Sequence, residues 1–292
     1  MEKQEAVKVL IVTYNYLSGY GGGAFCARAY INAISALYDD VTLLYPVREG
    51  EAGSDGLREG IRKIGITDSA PRPVKLARIL LKGVLHRFEC PFRELLRQER
   101  FDLIVFENSK CSSGIIQDAR ASGARIVVVH DNYEREYTRD NTPLLLRPIL
   151  VPAAIRTERE AVRTADLNLV LTPDDARLLE TDYGGNIALC GAFEYGPSKS
   201  VSGPEIKEPA FVVTGNLGAR QTEVSLLSWL SEYYPILKEM VPDARLIVAG
   251  KEASTTLRQR LSEAGAEYVD TPADMSAVLA RARYYVCPVN CG

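Results

Sequence analysis

Two stretches of the sequence gather groups capable of chemistry. The first is His130-Asp131-Asn132-Tyr133-Glu134-Arg135-Glu136-Tyr137, which follows the apolar run Ile126-Val127-Val128-Val129. His130 is one of only two histidines and can donate or accept a hydrogen bond near neutral pH. Glu134 adds an anionic acceptor one helical turn later. Beyond the carboxyl end of a parallel strand, where open α/β sheets bind ligands, the two form the candidate catalytic pair. A purely structural His130 is the competing reading.

The second stretch is Gly19-Tyr20-Gly21-Gly22-Gly23-Ala24. It can be written as the dinucleotide fingerprint G-x-G-x-x-A, but its surroundings do not fit. The first glycine should lie at the turn directly after a strand, and an acid should end the second strand. Here residues 14–18 intervene, and Asp39-Asp40 precede the second strand. A flexible loop entering a helix N-terminus fits better, its bare N–H groups facing a phosphate or a sugar. Gly22 and Gly23 are candidate binding positions on this reading; a loop that only turns the chain is the alternative.

Other clusters carry less. Val74, Ala77, Leu81, Val84 and Phe88 recur at helical spacing, with Lys75, Arg78 and Lys82 on a neighbouring face. Residues 74–88 therefore read as a basic amphipathic helix for an anionic membrane surface, or as the solvated side of a core helix. Cys287 and Cys291 have no histidine nearby, while a zinc site needs four ligands; no metal is expected.

The elements that must position these groups alternate in type. Residues 7–12, 41–45, 101–106, 125–129 and 167–171 read as strands, the second stopped by Pro46. Helices are expected over 24–37 and 114–121, and after Thr172-Pro173-Asp174-Asp175, which carries helix-start signals. Gly184-Gly185 and the Ser-, Pro- and Gly-rich residues 196–209 mark a linker. A second cycle follows: strands at 211–214, 245–249, near Tyr268 and at 284–287, and helices at 223–240, 254–264 and 273–282. The alternation predicts α/β architecture with two doubly wound Rossmann-like domains, 1–195 and 210–292, joined by the linker 196–209. The second cycle spans only about 80 residues, short of the ~100–150 of a typical domain. It stops after a buried-type strand, so the second domain is expected to be incomplete.

Composition narrows the classes. The 292 residues are 46% hydrophobic and 25% charged, with a net charge of -3. This balance argues against a protein that coats nucleic acid. No apolar run approaches the ~18 residues of a membrane span, and the polar start Met1-Glu2-Lys3-Gln4-Glu5 does not resemble a secretory signal. The six cysteines lie far apart and read as reduced thiols of a cytoplasmic protein.

Together the motifs resemble bacterial glycosyltransferases of the GT-B fold, family 4-like (group 1), which transfer sugars from nucleotide donors. One matching block is Thr214-Gly215-Asn216-Leu217 with Trp229, Tyr234-Pro235-Ile236-Leu237 and Pro242-Asp243-Ala244-Arg245-Leu246-Ile247-Val248-Ala249-Gly250-Lys251. It looks like the family's opening strand, long helix and "P-x-A-x-L-x-I-x-G-K" strand. The other runs from His130 to Tyr137, then Glu158, then Ala165-Asp166-Leu167 to Thr172-Pro173-Asp174-Asp175. It looks like the family's "H-N-x-E", acidic helix and "A-D-x-x-x-x-x-S-x-x-D". Asn216 stands where the family has an arginine, with Arg220 an approximate substitute. Leu189-Cys190-Gly191-Ala192-Phe193 replaces "P-N-G-V-D", and the Gly-rich loop and E-x₇-E helix that would follow Pro288 are absent.

The resemblance implies transfer from a nucleotide-sugar to a glycan or lipid-linked acceptor, in cell-surface polysaccharide synthesis. It implies retention of configuration, and neither cofactor nor metal. It places Gly22, Gly23, Gly215, Asn216 and Lys251 on the donor, and His130 and Glu134 near the transferred sugar or acceptor. The first domain would be the acceptor side and the second a C-terminally truncated donor side, with the cleft between them. The protein would be cytoplasmic, with peripheral contact at the inner membrane face through 74–88 and no nucleic-acid partner. A nucleotide-sugar epimerase of the same fold and a non-catalytic sugar-binding or scaffold chain are the alternatives.

Overall fold

Val9, Leu10, Ile11 and Val12 are all fully buried, which requires apolar cover on both faces of their strand. Successive side chains of a strand point to opposite faces. Leu10 and Val12 accordingly enter one core with Phe92, Ile104 and Phe106, while Val9 and Ile11 enter another with Ile31, Leu43 and Val129. Each such aliphatic side chain contributes about 1.5–3 kcal/mol by leaving water. A parallel sheet covered on both sides is the arrangement that satisfies this pattern.

The computed structural model describes residues 7–18, 22–47, 56–67, 71, 73, 74, 77, 88–191 and 209–288. The chain divides into two compact units, Met1–Gly196 and Pro197–Gly292. Unit 1 runs β1 Lys8–Thr13, α1 Gly22–Leu37, β2 Asp40–Val47, β3 Arg62–Thr67, α2 Glu89–Gln98, β4 Leu103–Glu107 and a 3₁₀ turn Ser109–Ser112. It continues through α3 Ile116–Ala121, β5 Arg125–His130, α4 Glu134–Asn141, a 3₁₀ turn Leu144–Leu146, α5 Arg147–Thr164, β6 Leu167–Val170, α6 Pro173–Tyr183 and β7 Ile187–Leu189. Its seven strands lie in the order β3-β2-β1-β4-β5-β6-β7, all parallel.

Unit 2 comprises β8 Ala210–Asn216, α7 Arg220–Glu232, α8 Tyr234–Met240, β9 Arg245–Lys251, α9 Thr255–Glu263, β10 Glu267–Asp270, α10 Met275–Leu279 and β11 Tyr284–Tyr285. The four strands are parallel in the order β10-β9-β8-β11. Val213, Leu246 and Val248 pack on one face, Val212, Ile247 and Ala249 on the other. Both units are thus doubly wound α/β, as the alternation predicts.

Several details differ from the sequence reading. Pro46 does not stop β2: it lies inside the strand opposite Ile66 of β3, and pairing with β1 has already ended at Val12↔Leu44. Only one side is then bonded there, so the missing N–H is tolerated. The single helix expected over 223–240 is two, because Pro235 in the first turn of α8 restricts the residue before it and removes a donor. The buried-type strand at 284–287 is instead a two-residue edge strand, with Tyr284 and Tyr285 both exposed. β3, β7, α2 and α4 were not foreseen, and α5 only as the acidic helix around Glu158 that the resemblance implies. Residues 75–76 and 78–87 of the expected amphipathic helix, 19–21 of the glycine loop and all of the expected linker but Pro209 lie outside the described residues.

Candidate functional site

The order of unit 1's sheet creates a crevice. The chain steps outward from β1 to β2 and β3, then returns to place β4 on the other flank of β1. Helices leave the two strands in opposite directions at such a reversal, and ligands bind beyond the carboxyl ends there. Thr13 ends β1 and Glu107 ends β4, and the two are register partners. Thr13 Oγ1 donates to Glu107 Oε2 at 2.5 Å. Asn15 Nδ2 donates to the same oxygen at 3.1 Å. Asn15 also touches the glycine loop: a Cβ added to Gly23 would lie 2.7 Å from its Oδ1, whereas one added to Gly22 meets nothing within 4 Å. Gly23 therefore permits a close approach, and Gly22 has no steric role.

Asp131 follows β5 and brings a second carboxyl group to Glu107. Glu107 is fully buried, and burial first, then the Asp131 charge, raises its pKa well above the carboxylate range. Asp131 is raised as well, mainly by burial, although the Asn108 amide and Lys110 oppose the shift. Asn108 Nδ2 donates to Asp131 Oδ2 at 3.3 Å. Both shifts favour the protonated form, and burial is the largest cause of each. Glu107 and Asp131 were missed in the sequence. The signal was an acid–amide pair closing each apolar run, Glu107-Asn108 at the end of β4 and Asp131-Asn132 just past His130 of β5.

The two expected catalytic residues lie beside this pair. His130 ends β5, 1% exposed, with Nε2 2.9 Å from Asn168 Oδ1. Asn168 Nδ2 is committed to the carbonyls of Val162 and Asn186, so its oxygen faces the ring and Nε2 carries the proton. Nδ1 is buried without a hydrogen-bond partner. Burial lowers the His130 pKa to about 4, against a raising effect of Asn168, and the ring is neutral at pH 7. Glu134 opens α4 and is paired with Lys110, Nζ to Oε2 2.6 Å. Its amide donates to Glu158 Oε1 at 2.7 Å.

Unit 2 repeats the reversal between β8 and β11. At the carboxyl end of β8, Gly215 and Asn216 are exposed and are register partners of Gly250 and Lys251. A Cβ on Gly250 would lie 2.0 Å from the Gly215 carbonyl oxygen, so only glycine allows the strands to approach this closely. Lys251 Nζ is half-exposed, 3.6 Å from Glu252. Gly215, Asn216 and Lys251 are thus brought together, near the start of α7. A cavity of about 540 Å³ in this unit lies elsewhere, at the opposite end of β9 beside Arg245 and Lys238. Among the described residues no group of three His, Cys, Asp or Glu is placed to hold a metal ion, and no helix is long and apolar enough to cross a membrane.

No protein-family model matches the sequence, and no curated protein matches it significantly. Solved structures do. Sucrose-phosphate synthase from Thermosynechococcus elongatus aligns over 97% of this chain and 75% of its own, with TM-score 0.68 and 13% identity. Anabaena HepE in complex with UDP and glucose aligns over 96% and 73%, with TM-score 0.57 and 13% identity. A UDP-glucosyltransferase from Polygonum tinctorium capable of glucosylating indoxyl aligns over 99% and 77%, with TM-score 0.55 and 11% identity. At these identities the likeness is one of fold, and the fold is GT-B.

Proposed function

We propose that the chain is a glycosyltransferase that moves a sugar from a nucleotide-sugar donor to a hydroxyl of a glycan or lipid-linked acceptor. We place it in cell-surface polysaccharide synthesis at the cytoplasmic face of the membrane. Fold alone does not imply activity. The supporting observation is that each unit opens a different set of polar groups at its own strand reversal. Unit 1 places the half-buried Asp131 there, suited to a hydroxyl, with the buried Glu107 behind it. Unit 2 presents exposed backbone at Gly215, the Asn216 amide, the Lys251 ammonium and the start of α7.

In the transfer, an acceptor oxygen bonds to the anomeric carbon while the bond to the nucleoside diphosphate breaks. Negative charge grows on the departing diphosphate. A lysine and a helix N-terminus offset such charge, and we assign that task to Lys251 and α7 rather than to a metal. Gly22 and Gly23 offer the backbone at the entrance of α1 to the ligand, and Gly23 also makes room for Asn15. Neutral His130 anchors the end of β5 through Asn168, and Glu134 fixes Lys110 beside Asp131. The lipid-linked acceptor is favoured by the exposed run Leu144, Leu145, Leu146 and Ile149. It follows α4, whose eight residues put it about 12 Å along the helix from Glu134.

The test is incubation of the protein with UDP-, GDP- and dTDP-sugars in the presence of a membrane lipid extract. Release of nucleoside diphosphate with a glycosylated product supports the reading. An interconverted nucleotide-sugar would make the chain an epimerase, and absence of any turnover or binding would leave a sugar-blind scaffold.

A further inference from the structure

We propose that Asn108 is the positioning residue of the unit 1 site: its side-chain amide clamps Asp131 and Glu134 from one point, and for this it is held in a backbone conformation natural to glycine. This rests on the glycosyl-transfer reading above, in which Asp131 meets an acceptor hydroxyl, and adds to it the residue that aims Asp131.

Asn108 follows β4 with φ 79° and ψ 131°. Positive φ drives Cβ against the backbone, a clash that only glycine escapes. Two other non-glycine residues among the described ones have positive φ, Glu252 and Thr271, and both are exposed. Asn108 is buried, 5% exposed. Such a conformation persists only where the surroundings over-determine it, and here they do. The Asn108 N–H donates to the Val129 carbonyl at 3.0 Å, and its own carbonyl accepts from the Cys111 N–H at 3.1 Å and from the Cys111 thiol at 2.8 Å. The same sulfur lies 3.2 Å from the carbonyls of Val12 and of Glu107. The ends of β1 and β4 and the 3₁₀ turn Ser109–Ser112 are thus drawn onto one buried thiol.

Glycine would fit this backbone without strain; what the asparagine side chain adds is a bridge. Its Oδ1 accepts from the Lys110 N–H at 2.9 Å, which turns Nδ2 toward the acids. Nδ2 donates to Asp131 Oδ2 at 3.3 Å and to Glu134 Oε1 at 3.4 Å. Lys110, two residues on, holds the other Glu134 oxygen at 2.6 Å. One short segment after β4 therefore fixes both acids of the segment that leaves β5. An aspartate at 108 could still accept from Lys110, but it would turn an oxygen instead of a donor toward two carboxyl groups. Asparagine does both. Precision matters at Asp131, because a misplacement of ~1 Å in a group that orients a substrate can cost about 10²-fold in rate.

Asn108→Gly removes the amide and relaxes the backbone. It should lower kcat/KM for the acceptor by about 10²-fold, with the donor KM as in wild type. Combined with Asp131→Asn it should cost no more than Asp131→Asn alone, because Asn108 acts through that carboxyl group; a merely structural role predicts additive losses. Asn108→Asp, which keeps the contact to the Lys110 N–H, should be impaired at least as much as Asn108→Gly. The strain is read without turnover. Asn108→Ala lacks the amide just as Asn108→Gly does but keeps Cβ, so its thermal midpoint should lie below that of Asn108→Gly by about 2 °C or more. Equal midpoints overturn the strained backbone. Undiminished transfer by Asn108→Gly or Asn108→Asp, additive losses, or equal rises in donor and acceptor KM overturn the positioning role and leave the transferase standing. Absence of transfer by the wild type takes down both.

Discussion

Lys110 holds its ammonium 2.6 Å from the carboxylate of Glu134, on a glutamate that is only 2% exposed. Burial alone would lower the lysine pKa, but the glutamate charge more than compensates and the net shift is upward. The shift favours the charged lysine, whose ammonium also lies over the Tyr137 ring, 4.9 Å from its centroid. Removing one partner of a buried pair leaves an uncompensated charge, at a cost of about 3–5 kcal/mol. Lys110→Met should destabilise unit 1 toward the lower end of that range, because water still reaches the lysine. Lys110→Met/Glu134→Gln should recover part of the loss. Urea unfolding measures both, and a single-variant change below about 0.5 kcal/mol would show the pair to be unimportant.

His130 makes stability fall in acid. Its native pKa of about 4 lies below the unfolded value of ~6.5. The unfolded chain therefore binds more protons between those values, and stability is lost as pH drops from 6.5 toward 4. The loss amounts to about 3 kcal/mol at most. In His130→Gln, whose amide can still donate to Asn168, this part of the acid limb should vanish. Parallel acid limbs in variant and wild type would refute the neutral buried ring.

Glu158 acts with the opposite sign. It is fully buried, and burial raises its pKa to about 8. Folded protein then holds a proton that the unfolded chain releases above ~4.3, so this contribution declines as pH rises from there to 8. Glu158→Gln keeps an oxygen for the Glu134 amide and should flatten the decline. Differential scanning at pH 5 and pH 8 decides it: the variant should gain on wild type at the higher pH.

The glycines separate by what surrounds them. Gly250→Ala drives a methyl group into the Gly215 carbonyl, and forced overpacking costs about 1–3 kcal/mol or more. Gly22→Ala meets open space at the start of α1, where replacing glycine should be neutral or stabilising by up to about 1 kcal/mol. Equal effects of the two substitutions on thermal stability would contradict the close approach of β8 and β9.

The exposed leucines give a binding prediction. Leu144 and Leu145 are 75% and 90% exposed, and burying one such side chain in a bilayer interface is worth up to about 1.5–3 kcal/mol. Leu144→Ser/Leu145→Ser should weaken binding to anionic phospholipid vesicles about tenfold or more, without changing the unfolding midpoint. Equal sedimentation of variant and wild type with vesicles would remove this support for a lipid-linked acceptor.

By itself the sequence determined the local elements whose signals are local. Four consecutive aliphatic residues in β1 declare a strand buried on both faces, and Thr172 and Ser254 announce helix starts that their side chains do cap. The strand–helix alternation was enough for two doubly wound α/β units, because periodicity and turn chemistry reside in neighbouring residues. The acid pair was not legible. Glu107 and Asp131 are 24 positions apart, and Thr13 and Glu107 are separated by 94; each contact exists only because parallel pairing brings β1, β4 and β5 into register. The ionisation states follow the same rule. A histidine and a glutamate read alike wherever they fall in a sequence, yet burial lowers the His130 pKa and leaves its ring neutral, while the equally buried Glu134 stands 2.6 Å from the Lys110 ammonium. Desolvation and distance set those states, and both are properties of the packed chain alone.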